Sequence, residues 1–213
     1  MNQTPWDQRW ARLLVKPLAR TPVTPNQLTT LTLVLALTGA GLFAAGDPGL
    51  AGWAAGLFVL ARFLDHVDGE LARLKGAQSR FGYYYDYVAG AVSYAALFVG
   101  IGIGLAAGPL GSWAFLLGLA GSASALLSMG LNLGIDKALA ESKGGGGESD
   151  AIGYPGYAGF ELEDGIYLLA PITWLGFLSP FFVAAGIGAT LYCLWSLWLL
   201  WRTRRRAGDS RIS

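Results

Sequence analysis

The chain is poor in the residues that build most metal and nucleophilic sites. One cysteine, Cys193, and one histidine, His66, occur in 213 residues. A single cysteine excludes an intramolecular disulfide and any cysteine-ligated metal cluster, so Cys193 reads as packing within the bundle or against lipid. Charge is also scarce: 14% of residues are charged and 54% are hydrophobic. That balance opposes a nucleic-acid role even for the arginine-rich C-terminal end. The first ~25 residues have no uninterrupted apolar core, being broken by charges and tryptophans, and do not read as a cleavable signal peptide. No internal repeat and no boundary of a second domain appear, so residues 1–213 read as one membrane domain.

What the chain does have is long apolar windows. They run Leu28 to Gly46, Leu50 to Leu64, Val88 to Ala107, Leu110 to Leu133, Ile166 to Leu178 and Phe181 to Trp201. A spanning helix needs ~20 apolar residues, and these windows predict an all-α bundle of six spans over residues 26–203. The second and fifth windows are short, and Phe63 to Gly69 and Glu161 to Gly165 would supply their missing turns. Those turns carry carboxylates, which places them against protein or water. Trp6 to Arg20 alternates apolar and basic positions and predicts an amphipathic helix lying in the headgroup layer, with a plain cytoplasmic lead-in helix as the alternative. Gly134 to Phe160, with its run KGGGGES, reads as a polar connector. Residues 204–213 read as a basic tail on anionic headgroups.

Basic residues lie on one side of this layout. Arg9, Arg12, Lys16 and Arg20 precede the first span; Arg62, Arg73, Lys75 and Arg80 flank the second connection; Lys137 and Lys143 lie in the fourth; five arginines close the chain. The connections at Gly46 to Pro48, Gly108 to Gly111 and Ser179 to Pro180 have none. The positive-inside rule then places both termini in the cytoplasm. The same side carries the stretch LDHVDGELARLKGAQSRFGYYYDYVAG, Leu64 to Gly90.

On a helix Asp65 and Asp68 share a face with Ala72, and Gly82, Asp86 and Gly90 form a second stripe. Carboxylates at the end of a membrane helix are costly unless paired or bound to a cation. The bases read as closest in sequence, Arg73, Lys75 and Arg80, lie a turn or more beyond the acids or in the connecting loop, so the acids suggest a bound cation more than ion pairing. An oxygen donor set favours Mg²⁺ or Mn²⁺ over zinc. Such ions recruit phosphate oxygens. Gly69, Ala72 and Gly82 leave room for a diphosphate to approach backbone, and Arg73 offers a forked donor.

Asp65, Asp68, Gly69, Ala72, Arg73, Gly82 and Asp86 follow the order D-x2-D-G-x2-A-R-x8-G-x3-D and resemble the CDP-alcohol phosphotransferase family. VTPNQLTTLT, the amphipathic lead-in and the six-span plan extend the resemblance over most of the chain. It implies that a substituted phosphate passes from a CDP-alcohol donor to an acceptor alcohol with release of CMP, in phospholipid or related phosphodiester synthesis. It further implies two metal ions held by Asp65, Asp68 and Asp86, a nucleotide site lined by Gly69, Ala72, Arg73 and Gly82, and Asn26 and Thr29 close by, although helix capping also accounts for those two. A homodimer in a bacterial inner membrane is expected on the same basis, with the active site facing the cytoplasm and membrane lipids around it.

The pattern continues with a fourth aspartate, and here Gly90 stands in its place. The resemblance assigns that residue to the second metal and to the proton of the attacking hydroxyl. Loss of a general base costs ~10²- to 10⁴-fold in rate. The chain therefore reads as catalytically impaired, or as a pseudoenzyme that binds CDP-alcohols without turnover. Two alternatives concern Gly90 itself: it packs against another helix, or Glu161, Glu163 or Asp164 supplies the base. A small transporter is a third class, opposed by the lack of acids through the middle of any span. Tyr83, Tyr84, Tyr85 and Tyr87 read as an interfacial belt, with a cation cage as the alternative. Glu70 reads as solvated, and His66 as facing a neighbouring span.

Overall fold

A computed structural model describes residues 14–142, 156–157 and 160–209. Four long helices come first: α1 Pro25–Ala44, α2 Pro48–Lys75, α3 Arg80–Leu105 and α4 Ser112–Ser142. A pair of two-residue strands follows, β1 Gly156–Tyr157 and β2 Phe160–Glu161, antiparallel to each other. A 3₁₀ helix, Leu162–Leu168, leads into the short α5, Leu169–Trp174, and α6 runs Leu178–Asp209.

Five of these helices are long and apolar enough to cross a bilayer. The fifth expected span is different. Its apolar helical part is only Gly165–Trp174, 10 residues, and Gly176, at φ 81°, turns the chain left-handed just beyond its end. The polar connector is also shorter than expected, since α4 continues through Ser142. Of the amphipathic lead-in, residues 14–18 are helical; the part before residue 14 lies outside the described residues. Val15 is buried and packs with Leu28, Val67 and Leu71, so this turn docks on the bundle. Lys75 Nζ ties down the chain that follows, donating to the carbonyls of Thr21 and Val23 at 2.7 Å each.

The helix starts are written locally. Thr24 accepts from the Gln27 amide while the Gln27 side chain accepts from the Thr24 amide, a reciprocal capping box. Asp47 caps α2 through the Leu50 amide at 2.9 Å, and Ser79 caps α3 through the Gly82 amide at 3.0 Å. Gly76, at φ 60°, closes α2. Only residues 76–79 separate α2 from α3, which brings the end of one helix beside the start of the next.

Helix α1 packs on both α2 and α3, α3 packs on α4, and α4 on α6, whereas α2 and α3 make no comparably close backbone packing with each other. Small residues allow the tight crossings: a β-carbon on Gly100 would collide with the Ala40 carbonyl, and one on Gly104 with the Phe43 carbonyl. Many large apolar side chains face outward, among them Trp53, Phe81, Trp113 and Leu127, as expected where lipid is the solvent. The buried centre joins Ala36, Phe43, Phe58, Phe98, Ile101 and Phe182.

Candidate functional site

Helix α2 is 28 residues long, about 42 Å at 1.5 Å per residue, so it outruns a hydrocarbon core of ~30 Å. Asp65 and Asp68 stand ~26 and ~30 Å along it from Pro48, at the edge of the apolar layer. Asp86 comes in the second turn of α3. The three carboxylates come together: one oxygen from each of Asp65, Asp68 and Asp86 lies within 4.8 Å of the others. Opposite ligands of one octahedral Mg²⁺ are ~4.2 Å apart, so the three oxygens are already close to the separations a hard divalent cation requires.

The neighbours of these acids are specific. Thr29 Oγ1 donates to Asp68 Oδ2 at 2.7 Å, in a buried contact between α1 and α2. Capping explains neither Thr29 nor Asn26, because the cap is Thr24. Asn26 instead approaches Gly82: a β-carbon there would sit 3.2 Å from Asn26 Oδ1 and 3.1 Å from Ser79 Oγ. Gly69 is open apart from Arg73 Nη2, 3.7 Å from where its β-carbon would be, and Ala72 is half-buried on the same helix.

Ion pairing is more extensive than sequence spacing suggested. Arg62, one turn before the acids, places Nη1 2.6 Å from Asp65 Oδ2. The three acids and Arg62 together carry a formal charge of −2, which a divalent cation would balance. Arg73 pairs with Glu70 at 2.9 Å, and Glu70 is 7% exposed, so it is a buried partner and not a solvated residue. His66 Nδ1 lies 3.1 Å from the Arg62 carbonyl of its own helix.

The tyrosines also divide differently from an interfacial belt. Tyr83 and Tyr87 both donate to Asp136 Oδ2 at 2.7 Å, fastening α3 to α4. Tyr85 Oη lies 2.8 Å from Thr30 Oγ1, and Tyr84 is exposed. Asp136 was not anticipated. Its signal was present, since Ser124, Ser128, Asn132 and Asp136 recur every fourth residue and all four are buried, a polar stripe along one face of α4.

A cavity of about 520 Å³ opens from the acids. Arg62, Asp65, Asp86 and Gly90 line its polar end; Tyr94, Leu97, Phe98 and Ile101 of α3 and Phe181, Phe182, Ala185 and Ala189 of α6 line an apolar wall. Gly90 is not a helix contact, for a β-carbon there would meet nothing within 4 Å. The 3₁₀ helix reaches the cavity through Gly165 and Ile166. The side chains of Glu161, Glu163 and Asp164 lie outside the described residues.

Residues 22–203 match the family described as CDP-alcohol phosphatidyltransferase. The chain belongs to this family. Similar curated proteins include an archaetidylinositol phosphate synthase of Pyrococcus horikoshii, 36% identical over 89 residues, covering 42% of this chain and 46% of that protein. A bifunctional IPC transferase and DIPP synthase of Rubrobacter xylanophilus is 40% identical over 94 residues, covering 42% of this chain and 21% of that protein. These matches thus span less than half the length of either relative. Mycobacterium tuberculosis phosphatidylinositol phosphate synthase has the same fold: its apo structure aligns with a TM-score of 0.64 at 20% identity, covering 88% of this chain and 94% of that one. Its complex with manganese and citrate aligns at 0.57 and 21% identity, covering 90% and 88%, and its CDP-DAG complex at 0.56 and 21%, covering 92% and 94%. As a CDP-alcohol phosphatidyltransferase family member, the chain is an integral membrane protein of a transferase family, and its acid cluster lies where α1, α2 and α3 converge.

Proposed function

We propose that the chain binds a CDP-alcohol at the cytoplasmic face of a bacterial inner membrane, and that it is built to pass the alcohol-bearing phosphate to an acceptor hydroxyl with release of CMP, in phospholipid or related phosphodiester synthesis. The observation that carries this reading is the convergence of Asp65, Asp68 and Asp86 within 4.8 Å at the mouth of a cavity with an apolar wall. The manganese complex of the mycobacterial relative supports a divalent ion, Mg²⁺ or Mn²⁺, at these carboxylates, and this reading places two there. Such ions, when bound, neutralise the diphosphate and the charge gathering on departing CMP.

The protein's own groups do the rest. Thr29 fixes the rotamer of Asp68. Gly69, Ala72 and Gly82 leave the nucleotide room against the helices, with Asn26 beside Gly82. Arg73, held by Glu70 and half-exposed, can turn its free donors to a phosphate. The apolar wall accepts the hydrocarbon part of a lipid substrate. In this reading the window Ile166 to Leu178, with the turns before it, makes the sixth crossing, both termini are cytoplasmic, and the protein is a homodimer.

Gly90 sets the rate. The space in front of it is open, so the side chain that would take the acceptor's proton is missing where it would fit. The chain is accordingly an impaired transferase, and the same observation favours a second reading, a CDP-alcohol-binding protein without turnover. Gly90→Asp decides between full and lost chemistry: CMP release with Mn²⁺ and CDP-diacylglycerol is expected to rise by ~10²- to 10⁴-fold. A rate unchanged by this substitution would remove Gly90 from the explanation.

A further inference from the structure

Ser128 and Asn132 stand one turn apart on α4, and both line the cavity that reaches Asp86 and Gly90. They are 6% and 8% exposed. Asn132 Nδ2 donates to Tyr192 Oη at 2.9 Å, yet Asn132 Oδ1 and Ser128 Oγ are fully buried with no hydrogen-bond partner. Leaving a buried polar atom unsatisfied is costly, and native structures hold few such atoms. Two of them on adjacent turns, carried by residues that line one cavity, mark a place where a ligand completes the bonding. The ligand group has to donate to a carbonyl oxygen and also exchange with a hydroxyl. A lipid ester can only accept, whereas an alcohol hydroxyl does both.

Charge narrows the ligand further. Among the described residues, Arg62 is the only cationic side chain lining the cavity, and it is engaged with Asp65. Lys137 on α4 is exposed, and α6 has no lysine or arginine before Arg202. A phosphate monoester brings a charge of about −1.5 to −2, for which this lining has no free cation.

We propose that Ser128 and Asn132 form the acceptor-recognition shelf of the site, and that the acceptor is an uncharged alcohol with more than one hydroxyl. This rests on the CDP-alcohol transferase reading and extends it to the acceptor. Asn132 accepts from one hydroxyl, Ser128 bonds a second, and Tyr192 holds the Asn132 amide in orientation. The shelf thereby turns the acceptor toward Asp86 and Gly90 at the metal end.

The test is equilibrium binding to the purified full chain with Mn²⁺ and CDP present, CDP having no alcohol to transfer. Glycerol, inositol and inositol phosphate are the probes, and Mn²⁺-dependent CDP binding is measured in parallel. At least one uncharged polyol is expected to bind, with Ser128→Ala and Asn132→Ala each weakening it ~3- to 10-fold and leaving CDP affinity unchanged. Leu127→Ala, on the outward face of the same helix and 62% exposed, is expected to alter neither. Inositol phosphate is expected to bind no tighter than inositol. The proposal is overturned if no polyol binds, if both substitutions leave polyol affinity intact, or if inositol phosphate binds more than tenfold tighter than inositol. Failure of the unsubstituted chain to bind CDP with Mn²⁺ would instead overturn the transferase reading beneath it.

Discussion

Thr29 is a small residue with a large expected effect. Its hydroxyl bonds the buried Asp68 at 2.7 Å, and partners of metal ligands typically change metal affinity 10- to 100-fold when lost. Thr29→Val keeps the branched shape and removes the donor, so Mn²⁺ affinity, read by titration of the free-ion resonance signal, is expected to fall ~10-fold with the helical spectrum unchanged. Equal affinities would show that Asp68 needs no orientation. Asp65, Asp68 and Asp86 were legible in the sequence because three- and four-residue spacings on neighbouring helices force side chains to one side. Their partners were less so. Arg62 precedes the acids within an apolar run, and its i, i+3 spacing to Asp65 is the only sequence signal of their pairing. Glu70 looked solvated because nothing in sequence tells which side of a helix end faces protein. The Tyr83 and Tyr87 bonds to Asp136 join residues 53 and 49 positions apart, and such contacts depend on which helices are neighbours.

Among the elements, the α1–α3 crossing depends on glycine. A side chain at Gly100 would strike the Ala40 carbonyl, which is backbone and cannot swing aside, whereas a β-carbon on Gly41 would meet nothing within 4 Å. Gly100→Val is therefore expected to destabilise the chain by at least ~1–3 kcal/mol, seen as a lower melting temperature in detergent, and Gly41→Val to change it little; equal melting of the two would refute this packing. The long helices could be read from length and hydropathy; their caps are Thr24, Asp47 and Ser79, not the Asn26 and Thr29 that the sequence offered. The segment at Ile166 to Leu178 could not. Apolar content was sufficient there, but Gly176, at φ 81°, turns the chain out of the helix before the window ends. The extension of α4 through Ser142 was missed for the converse reason, since polar residues after Leu133 look like a loop although the helix simply continues beyond the apolar layer.

For the whole molecule, polar chemistry sits at one end of an apolar bundle. The turn from Gly76 to Ser79, the start of α1 and the Lys75 contacts with Thr21 and Val23 all gather beside the acids, while Trp198 and Trp201 near the end of α6 carry Arg202 and Arg205 over their rings at 5.1 and 3.9 Å. Such aromatic and basic pairs suit the headgroup layer. Gly90 belongs to this scale as well: beside the three carboxylates lies an open space where the family pattern carries a fourth acid, and the proposed loss of turnover rests on it. The decisive measurement is CDP binding to the purified chain by titration calorimetry, with Mn²⁺ and then with excess chelator. Affinity is predicted to fall at least tenfold on chelation and in a variant carrying Asp65→Asn and Asp86→Asn; equal affinity with and without the ion would contradict the claim that these carboxylates grip a diphosphate through a divalent cation.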